Sequence, residues 1–256
     1  MHTLTDSPIY VFGLSLALLW FSAWTGAYFR KRRRQPVKDE ERQDYSVVEG
    51  ATLTLLGLII GFSFSMAISR YDQRKNCEEA EANAIGTEYV RADLLPAAEA
   101  AKVRTLLRDY VNQRILFYNT RDRDKLRQIN ADTAQLQANL WSAVRGPGLV
   151  QPSTLTSLIL SGMNDVLNSQ GYTQAAWWNR IPTAAWALMG AIGTCCNLLI
   201  GYGSRRIEER PILFVVTPLV VSISFFLIAD IDSPRGGVIR VTPQNLVSLA
   251  KSLPSS

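Results

Sequence analysis

From Ala51 to Ser69 the chain reads ATLTLLGLIIGFSFSMAIS, nineteen residues without a charged side chain, and it then turns at once to Arg70-Tyr71-Asp72-Gln73-Arg74-Lys75. About 20 apolar residues cross a bilayer as a helix, because the hydrocarbon core is about 30 Å thick and each residue advances about 1.5 Å. No breaker separates this stretch from the polar residues after it, so the sequence predicts one continuous helix leaving the membrane. Three more stretches have the same character: Ile9 to Phe29, Ile181 to Ser204 and Pro211 to Ala229 contain no Asp, Glu, Lys or Arg. The chain has 256 residues, 47% of them hydrophobic, and its mean hydropathy near zero is the average of very apolar and very polar segments. The expected fold is an all-α membrane protein with four transmembrane helices in two pairs flanking a helical extramembrane domain. Residues 1–69 are the first pair, 70–180 the helical domain, 181–230 the second pair and 231–256 a C-terminal tail.

The first span exceeds the apolar region of a signal peptide, about 7 to 15 residues, and its positive cluster follows rather than precedes it, so it reads as a retained helix. Between Arg70 and Arg180 apolar residues recur at steps of three and four, with breakers at Pro96, Gly146-Pro147-Gly148 and Pro152. Four helices fit, at about 70–94, 97–120, 122–145 and 153–179.

Net charge is +5, but the basic residues gather beside the spans, which points to membrane topology and not to nucleic acid. Ten lie on one side: Arg30, Lys31, Arg32, Arg33, Arg34, Lys38 and Arg42 after span one, and Arg205, Arg206 and Arg210 after span three. Six lie on the other: Arg70, Arg74, Lys75, Arg180, Arg235 and Arg240. The positive-inside rule then places residues 30–46 in the cytoplasm and both termini outside.

Enzyme chemistry finds little to work with. His2 is the single histidine and lies at the terminus, which leaves none for a catalytic triad, a zinc site or a di-iron bundle, and no Walker-type phosphate loop is present. Cys77 stands apart from the adjacent Cys195 and Cys196, a spacing that is neither metal-ligating nor a disulfide framework. The expectation is a non-enzymatic protein without a cofactor.

Span two carries two faces of interest. Gly57, Gly61 and Ser65 form a small-residue stripe of the kind that packs helices closely. A neighbouring face presents Thr54, Leu58 and Phe62 at spacing four, which would form successive rings if copies of this helix surrounded an axis, and apolar rings can gate ions by dewetting. A Leu and Phe stripe of this kind normally faces lipid or a core, and on the residues alone that reading comes first. Asn197 in span three could line a pathway or bond across helices. On the emerging helix, Arg70, Arg74, Lys75 and Arg91 lie together with Glu78, Glu79, Glu81 and Glu88, which suggests exposed salt bridges or a basic ring that attracts anions.

Gly61-Phe62, seven residues, then Arg70-Tyr71 resembles the bestrophin pattern G-F-x7-R-aromatic at the end of that family's second span. After span four, Asp230-Ile231-Asp232-Ser233-Pro234-Arg235-Gly236 resembles E-I-E-x-P-F-G, with Asp for Glu twice and Arg for Phe. A closer likeness, over roughly residues 47–250, is to the bacterial bestrophin-like domain family of unknown function, carried by Glu81-Ala82-Asn83-Ala84-Ile85-Gly86-Thr87 with Tyr89, Arg91 and Leu94-Leu95-Pro96. For bestrophins the resemblance implies a pentameric anion channel whose neck is lined by span two, with the neck positions falling on Thr54, Leu58 and Phe62. Thr54 stands where the family prefers an apolar side chain, and Tyr71-Asp72 replaces paired tryptophans. Gly237-Val238-Ile239-Arg240 replaces the acidic run of calcium-gated members, so calcium gating is not carried over. The resemblance also implies cytoplasmic termini, opposite to the charge count.

Arg70, Asp230 and Asp232 form a candidate ion or cation site, since two close carboxylates can hold a hard cation. Asp230 and Asp232 equally suit a capped turn at Ser233-Pro234-Arg235-Gly236-Gly237, and whether a metal binds there stays open. The reading is a homo-oligomeric, bestrophin-like ion channel of a bacterial inner membrane, a pentamer and anion-conducting by resemblance, with inorganic ions and membrane lipids as partners and no nucleic acid. The alternative is a non-conducting membrane signalling or scaffold protein whose helical domain binds a partner.

Overall fold

The computed structural model describes residues 7–32, 39–150, 153–203 and 211–254, and over these the chain is helical with no strand. His2 and, of the basic residues beside the spans, Arg33, Arg34, Lys38, Arg205, Arg206 and Arg210 lie outside the described residues. In chain order the helices are α1 (Pro8–Arg32), α2 (Asp39–Arg91), a 3-10 turn (Ala92–Leu94), α3 (Ala97–Asn119), α4 (Arg123–Val150), α5 (Thr154–Trp178), α6 (Thr183–Gly203), α7 (Pro211–Asp232) and α8 (Gln244–Ser252). Four are long and apolar enough to cross a membrane, in α1, α2, α6 and α7. The chain divides into two compact units, Met1–Arg70 with Arg180–Arg240, and Tyr71–Asn179 with Val241–Ser256. The residues read as a C-terminal tail are thus shared between the two units.

The expected continuous helix is α2, whose 53 residues contribute to both units. It tightens into the 3-10 turn after Arg91, and that turn stops where Pro96 forces Leu95 into an extended conformation, with φ −87° and ψ 158°. The expected break at Gly146-Pro147-Gly148 does not occur: α4 runs on to Val150. Pro147 has no N–H to donate to the carbonyl four residues back, so one intrahelical bond is lost, and α4 continues beyond it for less than one turn. The chain restarts at Ser153, whose Oγ accepts from the Thr156 N–H at 3.2 Å while Thr156 Oγ1 accepts from the Ser153 N–H at 2.9 Å. This reciprocal capping box sets the first turn of α5.

In the first unit α1 packs against α6 and α7, and the closest approach of α1 is to α6, through glycines. A Cβ on Gly26 would collide with the Leu198 carbonyl oxygen, and one on Gly201 with that of Ala23. Ser22 Oγ donates to the Thr194 carbonyl at 2.7 Å across the same seam. Such close backbone contact maximises dispersion where lipid removes the hydrophobic drive for helices to associate.

In the second unit α3, α4 and α5 bury residues at steps of three and four. Val103, Leu107, Tyr110 and Val111 of α3 meet Leu140 of α4, and the same core takes in Met163 of α5. α8 joins that core through Leu246, which is fully buried. Its first turn is capped by Glu78, whose carboxylate accepts from the Leu246 N–H at 2.9 Å and from Asn245 Nδ2 at 2.7 Å.

Candidate ion pathway and buried ionic cluster

The apolar stretch of α2 is 17% buried, against 50% for α7. Leu56, Ser63 and Ala67 face inward, while Thr54, Leu58 and Phe62 lie exposed in a row, Leu58 at 54% and Phe62 at 63%. The Thr54 hydroxyl donates to the Gly50 carbonyl one turn back, at 2.9 Å. That bond turns its oxygen towards its own helix and satisfies it there, as the apolar surroundings of a span require. Gly57, Gly61 and Ser65 are exposed too, and, beyond the adjoining turns of α2 itself, no atom of the described residues comes within 4 Å of a Cβ built on Gly57 or Gly61. Asn197 is buried; its Nδ2 donates to the Gly193 carbonyl of its own helix at 2.9 Å, and its Oδ1 has no hydrogen-bond partner among the described residues.

Asp230 and Asp232 fasten two loops. Asp230 accepts from the N–H groups of Val238 and Ile239, both at 2.8 Å, and Gly237 passes so close to the Asp230 carbonyl that a Cβ there would collide with it. Asp232 accepts from Arg180 Nε at 2.9 Å and from the Ile181 N–H at 3.1 Å, where the chain enters α6. Among the described residues no group of three or more His, Cys, Asp or Glu side chains is placed to hold a metal ion. Arg70 is half-buried, and its Nη1 finds no hydrogen-bond partner among the described residues.

The exposed salt bridges expected along the emerging helix are not there for Arg74, Glu78, Glu81 and Glu88, which are all buried. Glu81 and Arg114 of α3 form an ion pair with neither side chain exposed. The Arg114 Nε donates to Glu81 Oε1 at 2.5 Å, while Tyr118 OH and Thr173 Oγ1 each donate to Oε2 at 3.3 Å. Burial opposes the Arg114 charge, but the adjacent Glu81 carboxylate outweighs it and holds the guanidinium above its ordinary pKa. Burial, reinforced by the Glu81 charge, also pushes the Tyr118 phenol up. Arg114 lies over the Phe117 ring, 4.4 Å from its centroid. Sequence reasoning missed this cluster, although a signal was present. Glu78, Glu81 and Glu88 share a three-and-four step with Ile85 and Ala92, an inward face whose apolar members mark the acids as interior.

An all-α chain with four membrane-length helices and a helical second unit defines a polytopic membrane protein. The model of the Bestrophin-like domain matches residues 16–246, and the chain belongs to that family. The fold is similar to that of a bacterial bestrophin homolog from Klebsiella pneumoniae, with a TM-score of 0.64 at 14% identity, covering 96% of this chain and 99% of that one. A variant of the Klebsiella protein matches with a TM-score of 0.63 at 12% identity, covering 98% and 100%. No match is found among curated proteins.

Proposed function

We propose that this chain is a homo-oligomeric, anion-conducting channel of a bacterial inner membrane, with α2 lining the pore. The observation that carries the reading is the uncovered row of Thr54, Leu58 and Phe62 on the least buried of the four spans. Membership of the Bestrophin-like family supports it. In this reading copies of α2 surround an axis, five by family resemblance, and the row becomes stacked constrictions where water is scarce. Gly57, Gly61 and Ser65 pack against the next copy. Arg70 lies about 12 Å beyond Phe62 along the same helix and supplies positive charge at the end of the span. Asp230 and Asp232 act on the path indirectly, by fixing the loops they bind.

Chloride flux through the purified chain in liposomes tests the proposal. Flux carried by an oligomer of five supports it. An inert monomer or dimer, which cannot build a five-fold neck, would leave the signalling or scaffold reading instead.

A further inference from the structure

The outward side of α1 carries an ordered ladder of aromatic rings that nothing in conduction calls for. Phe21, Trp24 and Tyr28 are all exposed, at steps of three and four along one helix face. The Phe21 and Trp24 ring centroids lie 5.9 Å apart, those of Trp24 and Tyr28 are stacked at 5.8 Å, and the Arg32 guanidinium sits 4.9 Å from the Tyr28 centroid. From Phe21 to Arg32 the helix rises about 16 Å, close to one leaflet of a hydrocarbon core about 30 Å thick. Arg32 and Lys31, four and three residues after Tyr28, are both exposed where that leaflet ends. Among the described residues no carboxylate pairs with either.

We propose that this stripe is a binding site for one anionic phospholipid, with an acyl chain along Phe21, Trp24 and Tyr28 and the phosphate held by Lys31 and Arg32. Length and charge both select this occupant. The ladder is as long as one acyl chain's leaflet, and its only polar end is doubly positive. A guanidinium lying on a ring still points its N–H donors outward in its own plane, the geometry a phosphate accepts.

The full-length protein, reconstituted in phosphatidylcholine bilayers with a trace of spin-labelled lipid, reads the site directly through the motionally restricted fraction. Phosphatidylglycerol is expected to be retained over phosphatidylcholine, and Lys31→Gln and Arg32→Gln each to lower that preference by up to about fivefold. Tyr28→Leu keeps the surface apolar but removes the ring beneath Arg32, and is expected to weaken the preference as well. Equal retention of the two lipids overturns the proposal. So does an Arg33→Gln/Arg34→Gln double variant that lowers the preference as much as Lys31→Gln/Arg32→Gln, since the attraction would then be diffuse. Inorganic phosphate bound by detergent-solubilised protein at Lys31 without any lipid preference would make the site one for a free ion. A disulfide between copies at Tyr28→Cys would make it a subunit contact.

Discussion

The carboxylate of Glu88 fills the space that a side chain at Gly162 would occupy: a Cβ built there collides with Glu88 Oε2 and with Arg91 Nη1. Glu88 of α2 therefore meets α5 with its carboxylate completely buried, and neither oxygen has a hydrogen-bond partner among the described residues. Arg91 Nη1 stands 3.9 Å away, and the Asp165 charge acts on Glu88 from α5. Burial dominates, and with Asp165 it pushes the Glu88 carboxyl up to about 7 in spite of Arg91.

The sign of the resulting pH dependence follows. Below about 4.5 Glu88 is neutral in both folded and unfolded chains, and its contribution to stability is fully present. As pH rises towards about 7 the unfolded chain releases the proton first, so stability falls, by on the order of 3 kcal/mol at most. Thermal unfolding of the purified protein in detergent, followed from acid to mildly alkaline pH, is expected to show this decline. Glu88→Gln should flatten it. A variant with the wild-type slope would place the pH dependence elsewhere.

Glu81 and Arg114 present the opposite case, a buried charge that is fully answered. Removing one partner leaves the other ionised and unpaired in the core, so Arg114→Met is expected to destabilise the helical unit by roughly 3 to 5 kcal/mol. Replacing both, as Glu81→Leu/Arg114→Met, should recover much of that loss, because two apolar side chains need no partner. Chemical denaturation of the single and double variants measures the coupling. A double variant as unstable as the sum of the singles would show that the pair contributes through packing alone.

Glycine positions separate packing within the chain from packing between copies. Gly201→Ala drives a Cβ into the Ala23 carbonyl, and the overpacking is expected to cost about 1 to 3 kcal/mol and reduce the yield of folded protein. Gly57→Ala meets no neighbouring helix among the described residues. It should leave the fold intact and change only the oligomer distribution on size exclusion. An unchanged yield for Gly201→Ala would show that α1 and α6 can separate without penalty.

The contrast between these glycines also shows what could be read in advance. Pattern alone located four spans and the helix boundaries near Pro96 and Ser153, because charge-free length and proline act locally. It could not tell which small residues face a neighbour: Gly57 and Gly61 have the spacing but meet no other helix among the described residues, whereas Gly26 and Gly201 mesh through carbonyls 172 to 178 residues away in sequence. Helix–helix pairing of that kind is a tertiary fact with no local signature. The acids on α2 escape the sequence pattern for a related reason. A Glu at three-and-four spacing from Arg reads as a surface pair, and only the arrival of Arg114, Tyr118 and Thr173 from other helices makes Glu81 interior.

Orientation in the membrane can be read at Cys77, half-buried on α2 beyond the end of the span. The charge count puts it outside the cytoplasm, and the family resemblance puts it inside. In a variant with Cys195 and Cys196 replaced, an impermeant thiol reagent added to intact cells is expected to reach Cys77 if the charge count holds. Burial, with the Glu81 charge, raises the thiol's pKa, so labelling should be slow at neutral pH and quicken as pH rises. Labelling only after the cells are opened would assign the opposite orientation, provided unfolded protein reacts readily.

Phe62 joins the family to a mechanism that can fail. It is 63% exposed on the single chain and one turn from Leu58 on the same face, so around an axis its rings would form an apolar constriction at which an ion must shed part of its hydration. Phe62→Ala should widen and wet that ring, raising conductance or basal opening while the oligomer stays intact. Because the side chain touches little within the chain, its truncation should not carry the roughly 3 to 5 kcal/mol loss of a packed phenylalanine. Gly61→Leu is the paired control, displaced by about 100° on the helix, where added bulk should disrupt contact between copies and lower oligomer yield. Planar-bilayer recordings normalised to oligomer content separate the two effects. If Phe62→Ala lowers assembly as much as Gly61→Leu and leaves flux per oligomer unchanged, α2 is a packing helix and the pore runs along another surface.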